Sequence, residues 1–262
     1  MSTAHETGPS DSEETGPSDS EETGPSDSEH ATSRDRPTAT GGGWRRRLRL
    51  AAAAALLGAA YWTVVRPRLL NWGATPAESG RRLPGDDLLP EPDAESTVAV
   101  TIDAPPGAVW PWLRQLGQDR AGFYSYEWAE NLVGLDIHNA DRVVPEWQDL
   151  SVGDPVRLAT EDRFTDAALE VAAIEPERSL VLRTPDEPTG WVWSFVLDPD
   201  DGTTRLLVRS RIRLPANPAV RVAARAVLDP VAWFMTRGML RGLRSRAERQ
   251  ASRRPAAEDG SA

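Results

Sequence analysis

Cysteine and lysine are both missing from this 262-residue chain. Without cysteine there is no disulfide, no thiolate metal site and no Cys nucleophile. Histidine is almost as scarce. His5 and His30 lie in a polar N-terminal stretch, which leaves His138 alone in the remainder, too few for an established zinc spacing. All 30 basic residues are arginine, against 40 acidic ones, and the net charge is −10. An acidic body repels phosphate backbones, so no nucleic-acid partner is expected. Acidity without lysine suits a high-salt medium, where carboxylates hold hydration and screening tempers their repulsion, so a halophilic setting is expected. A GC-rich coding bias toward arginine accounts for the same composition more plainly. Glycine-rich phosphate loops, dinucleotide fingerprints, G-x-S-x-G elbows, HExxH and EF-hand loops are absent too. No cofactor and no metal are therefore expected, and Ser151 and Ser194 have no partner histidine for a triad.

What is present is unevenly distributed. Residues 1–40 carry a net −8, 41–82 a net +7, 83–216 a net −14 and 217–262 a net +5. The octapeptide ETGPSDSE occurs three times in tandem at Glu6–Glu13, Glu14–Glu21 and Glu22–Glu29. A period of eight with no apolar residue cannot build a core, so residues 1–43 are expected to be a disordered acidic tail. Residues 250–262 are expected to be a second tail, and 71–97, rich in Pro, Gly and acids, a linker.

Residues 44–70 hold the one long apolar run, Leu50 to Val65, flanked by Arg45, Arg46, Arg47 and Arg49 on one side and Arg66 and Arg68 on the other. As a helix the run covers about 24 Å, short of a ~30 Å hydrocarbon core, but Leu48 and Leu69–Leu70 lengthen it if the arginines snorkel. Trp44 and Tyr61–Trp62 suit the two interfaces. A helix with no polar face has nothing soluble to lie on, so a single-pass membrane anchor is expected. A twin-arginine-like leader through Arg46–Arg47 is the alternative, although 44 residues ahead of it is long for a leader. Counting arginines places the N-terminus inside and the rest of the chain outside the cytoplasm, but Arg81 and Arg82 nearly cancel that bias.

Residues 98–249 are expected to fold as one domain of ordinary size. A β-branched run (Val98, Val100, Ile102) stops at Asp103, and Pro105–Pro106 open a helix with Val109, Trp112, Leu113 and Leu116 on one face. A short helix is expected over Tyr126–Val133, with Trp128, Leu132 and Val133 as its apolar side. Strands are expected near 141–144, 155–159, 168–174 and 180–183, then a hairpin. Its first arm aligns Trp191, Trp193, Phe195 and Leu197; its second sets Leu206, Val208, Ile212 and Leu214 against Arg205, Arg209, Arg211 and Arg213. That reads as an apolar face and a solvent-facing arginine ladder. The stretch from Pro230 to Arg249 supplies an amphipathic helix to cover the apolar face, after a helix over 219–228 broken or kinked at Pro230.

This order of elements, above all TIDAPPGAVWPWL and the aromatic segment FYSYEW, resembles the SRPBCC superfamily of START-related and polyketide cyclase/dehydratase-like proteins. The resemblance implies an α+β helix-grip fold, a curved antiparallel sheet wrapped around a long C-terminal helix with a cavity between them. It implies as ligand a hydrophobic or amphipathic small molecule, a lipid among the candidates. Trp112, Phe123, Tyr124, Tyr126, Trp128, Trp191, Trp193 and Phe195 are the expected ligand-binding residues, though any aromatic stripe also serves simply as core. Asp136, His138 and Asp141, with Glu127, are the weak candidates for acid–base chemistry; D-x-H-x-x-D matches no metal spacing, and turn capping explains the same residues. Three functions remain open: a membrane-anchored carrier, a cyclase- or aromatase-like enzyme using a carboxylate or His138, and a non-enzymatic protein-interaction module. The carrier is the expected one.

Overall fold

The computed structural model describes residues 43–132, 134–160, 167–185 and 188–253. The ETGPSDSE repeats, Val133 and everything after Arg253 lie outside the described residues. The apolar run is helical as α1 (Gly43–Ala60), a π-turn over Tyr61–Val65 and α2 (Arg66–Leu70). These make one 28-residue helix, long and apolar enough to cross a membrane, and its most apolar window is not buried. At 1.5 Å per residue the length matches the hydrocarbon thickness with its flanks.

Six antiparallel strands follow: β1 (Ala94–Ile102), β2 (Pro155–Arg157), β3 (Ala168–Glu175), β4 (Ser179–Arg183), β5 (Trp191–Asp200) and β6 (Thr203–Ile212), in the order β1-β6-β5-β4-β3-β2. The expected hairpin is β5–β6, and its turn is tighter than the Pro-Asp-Asp-Gly sequence suggests. Pairing runs out to Asp200↔Thr203, leaving Asp201 and Gly202 at φ 37° and 83°. Two positive φ values match the right-handed twist of the arms. In β3 the register slips between Val171 and Ala173, a bulge that bends the sheet.

The concave face carries Val98, Ile102, Leu180, Leu182, Trp193, Phe195, Leu197, Leu206 and Val208. Two helices cover it: α4 (Pro106–Arg114), through Val109, Trp112 and Leu113, and α6 (Pro218–Arg253), through Met239, Leu240, Leu243 and Ala247. Each large apolar side chain so buried stabilises the fold by roughly 1.5–3 kcal/mol. A curved sheet around a long C-terminal helix is the helix-grip arrangement. Of the break or kink expected at Pro230, the break does not occur. The helix runs through it, and Arg66 Nε holds the preceding residue from outside, 2.6 Å from Asp229 Oδ2. The helix also continues four residues past Arg249, into the expected tail.

The opposite face is where the sequence reading fails most. Of the arginine ladder only Arg213 is in solvent; Arg209 is buried, and Arg205 and Arg211 are partly covered. The stretch expected as a linker lies across this face, with α3 (Pro76–Gly80), a 3-10 turn over Asp86–Leu88, and buried Leu83 and Leu89. Leu83 packs with Ala99, Val196 and Leu207, and Leu89 with Val181 and Val192. This second layer explains why β5 reads as a nearly continuous apolar run, the pattern of a strand covered on both sides. Arg209 is 2% exposed and reaches Asp86 Oδ2 (2.7 Å), Thr97 Oγ1 (2.9 Å) and the carbonyls of Ser79 (2.7 Å) and Arg81 (2.8 Å). Arg205 forms a two-armed bond with Glu78, whose carboxyl is held down to about 2 chiefly by that guanidinium. Five donors in a rigid fork can pin a loop by its backbone, which lysine cannot do. Gly85 lets the loop close down, since a Cβ there would stand 2.6 Å from Val181 Cγ1.

A candidate ligand recess beside the C-terminal helix

The aromatic segment reaches α6 at two glycines. A Cβ on Gly238 would stand 2.7 Å from the Tyr126 ring, and one on Gly242 would collide with the Tyr124 carbonyl. Tyr124 is therefore clamped. It takes a positive φ of 57°, its N–H donates to Asn139 Oδ1 (2.5 Å), its hydroxyl donates to the Trp112 carbonyl (3.0 Å), and Arg246 lies over its ring at 5.0 Å. Burial raises its phenol well above the ordinary value. Asn139 ties the following loop down by a second bond, from Nδ2 to the Ser125 carbonyl (3.1 Å), and its own N–H donates to Glu127 Oε1 (2.6 Å). Gln115, fully buried at the end of α4, fixes the next stretch. It donates to the Arg142 carbonyl (3.1 Å) and accepts from Val144 N–H (3.0 Å). Residues 141–144, expected as a strand, form this stitched loop instead, because buried side chains satisfy the backbone groups that a neighbouring strand would have paired.

The expected ligand residues divide accordingly. Trp193 tilts against Phe195 at 4.8 Å, stacks on Trp191 at 5.4 Å and meets Phe123 at 6.1 Å. Exposure rises along this wall from Phe195, fully buried, to Trp191, partly open and hydrogen-bonded to Ser210. Trp112 meets Tyr124 edge-on at 5.7 Å. Tyr126 stacks on Phe234 of α6 at 4.4 Å, and Trp128, 66% exposed, stands at the edge of the same ring. Thus α5 (Glu127–Leu132) sits the other way round from its expected orientation, with Leu132 and Trp128 outward and Glu130 inward. Glu130 was not legible as a site residue. Burial, reinforced by Glu127, pushes its carboxyl up to about 7, and its Oε2 has no partner among the described residues. It lines neither recess described below.

The weak catalytic candidates stay at the surface. His138 Nε2 is 3.2 Å from Asp136 Oδ1, with both side chains more than three-quarters exposed. Among the described residues no group of three or more metal-ligating side chains converges.

A recess of about 350 Å³ opens where α6, α4 and the 141–143 loop meet. It is lined by Trp112, Asp141, Arg142, Val143, Arg246, Arg249, Gln250 and Arg253. Of these only Trp112 was expected at a ligand. The arginines come from two segments a hundred residues apart, so no local pattern announces them. A second, shallower recess lies across α6, between Asp103, Arg241, Arg244 and Glu248, where Arg244 Nε pairs with Glu248 (2.7 Å).

No family profile matches the chain, and no curated protein does. Solved structures do resemble it at low identity. CalC, a self-sacrificing resistance protein from Micromonospora echinospora, is 12% identical, with 62% of this chain and 99% of that one covered at a TM-score of 0.40. The Zhui aromatase/cyclase from Streptomyces sp. R1128 is 15% identical over 63% and 98%, at 0.36. DynU16, from the dynemicin biosynthetic locus, is 18% identical over 58% of this chain, at 0.33, and the chain spans about half its length.

Proposed function

We propose that this chain is a membrane-anchored helix-grip domain that binds a hydrophobic or amphipathic small molecule where α6, α4 and the 141–143 loop meet, without catalysing a reaction on it. The observation that supports this reading best is the recess of about 350 Å³ floored by Trp112, a residue of the aromatic core. That volume is at the lower end of small-molecule sites. Burial of apolar ligand surface there supplies affinity at roughly 25 cal/mol per Å². The apolar helix Gly43–Leu70 holds the domain where such molecules partition. Of the acid–base candidates only Asp141 lines the recess, and it is already paired with Arg246; Glu127, Asp136 and His138 lie outside it, which is why a carrier is preferred to a cyclase-like enzyme.

Native mass spectrometry of the detergent-extracted full chain tests the reading. The expected result is a non-covalent small-molecule adduct that is lost in Val143→Trp, where the indole fills the recess. A bare mass after incubation with fatty alcohols, fatty acids and fused-ring aromatics would overturn it.

A further inference from the structure

The recess beside Trp112 has a chemistry that its aromatic floor does not explain. Four guanidiniums line it, and the one carboxylate among the lining residues, Asp141, is already bonded to Arg246 at 2.9 Å. The lining therefore carries a net charge of about +3, in a chain of net charge −10. Arg246, Arg249 and Arg253 stand three and seven residues apart on α6 and share a face, while Arg142 approaches from the loop that Gln115 stitches down. Arg246 is committed to Asp141, the Ala140 carbonyl and the Tyr124 ring. Arg249 is held by Ser245. The Arg142 and Arg253 guanidiniums have no hydrogen bond or ion pair among the described residues.

A second observation is independent of the charge. Trp112 is 3% exposed, yet its indole N–H has no acceptor among the described residues, and it lines this recess. A buried donor without a partner is uncommon and is satisfied when a ligand supplies the acceptor. Arginines late in a helix also complement its dipole, but that accounts for neither Arg142, which is on a loop, nor the idle indole. The dipole itself places about half a negative charge near the site, too little to offset the guanidiniums.

We propose that this recess is an oxyanion site, which takes the carboxylate or phosphate head of an amphipathic ligand. Arg142 and Arg253 bond the head, Trp112 Nε1 donates to one of its oxygens, and Arg246 supplies a fixed positive charge from its place over Tyr124. Val143 and the Trp112 ring flank the first carbons of the tail. The inference rests on the carrier reading and narrows its ligand class to acidic amphipaths.

The test uses the full chain in dodecyl maltoside with four probes: myristate, tetradecyl phosphate, tetradecanol and inorganic phosphate. Dissociation constants are measured alongside the ¹⁵N-indole resonance of Trp112, assigned by its loss in Trp112→Phe. Myristate and tetradecyl phosphate are expected to bind at least tenfold more tightly than tetradecanol and to move that resonance downfield. Changing Arg142→Gln and Arg253→Gln together, both at exposed positions, is expected to weaken the acids by tenfold or more and leave the alcohol unchanged. The stronger of the two acids identifies the head. Equal binding of alcohol and acid, with the indole unmoved, overturns the oxyanion site and leaves the carrier reading standing. Inorganic phosphate binding as tightly as tetradecyl phosphate supports the oxyanion site and overturns the carrier. Failure of every charged probe to move the indole overturns the site.

Discussion

Replacing Arg209 with Met removes the largest fully buried side chain that carries a charge, and the structure sets the size of the effect. Three consequences follow from the bonds Arg209 makes. Asp86 keeps Arg211 at 3.2 Å and the Leu83 N–H at 2.9 Å, but loses its closer charged partner at 2.7 Å. The carbonyls of Ser79 and Arg81 lose their donors, as does Thr97 Oγ1. Each orphaned buried acceptor costs about 1 kcal/mol or more. Taking one partner from a buried ion pair costs roughly 3–5 kcal/mol, mostly because the other charge stays behind. These figures overlap in part, and Arg211 limits the damage, so a loss of about 3–5 kcal/mol is expected. For a domain of this size that lowers Tm by on the order of 10 °C. Tryptophan-detected thermal unfolding of the full chain in detergent measures it. Arg209→Lys keeps the charge but not the fork and is expected to lose nearly as much. Asp86→Leu combined with Arg209→Met is expected to lose less than the two single changes added together. A loss under about 1 kcal/mol in Arg209→Met, or strict additivity in the double variant, would show that the layer over the sheet is not pinned by this residue.

Three further outcomes are expected. Gly242→Ala gains up to about 1 kcal/mol of helix propensity but drives a methyl into the Tyr124 carbonyl; the clash wins, with a net loss of about 1–3 kcal/mol by thermal unfolding. Tyr124→Phe removes the bond to the Trp112 carbonyl and is expected to lower stability by about 1 kcal/mol while leaving ligand affinity within about twofold, as judged by titration. Glu130 makes stability fall as pH rises. Its carboxyl is protonated in both states below its ordinary value of 4.5, holds a proton only in the folded state up to about 7, and is buried and ionised above that. Wild type is thus expected to be more stable at pH 5 than at pH 8, and Glu130→Gln to recover about 1–2 kcal/mol at pH 8 and nothing at pH 4. A Glu130→Gln chain with the same pH slope as wild type would refute this.

The fold was legible where one periodicity governs a whole element. Alternation located β5 and β6, and Pro105–Pro106 located the start of α4. It was illegible where a polar residue does structural work out of sight. Arg205, Arg209 and Arg211 read as a solvated face because a guanidinium is usually exposed, yet each grips carbonyls or carboxylates of the 73–95 stretch. Trp128 and Glu130 exchanged their expected places because α5 is too short to have a decisive apolar face. Gly238 and Gly242, which no periodicity marks, are the points where the aromatic segment touches the long helix. For the site, Trp112 was named in advance as an aromatic wall, whereas its idle N–H and the arginines around it exist only through tertiary placement.

The stretch between Leu70 and β1 has a mechanical consequence. Fully extended, its 23 residues would reach about 80 Å and let the domain swing freely on a slack leash. Sewn down from Trp72 to Pro90 by Arg205, Arg209, Arg211 and Arg237, and at Asp93 by Arg221 and Arg225, it has little slack to give. Any pull or tilt of the hydrophobic helix at Leu70 is passed directly to the sheet edge at β1. The domain is therefore held close to the end of the apolar helix at Leu70 and cannot range away from it.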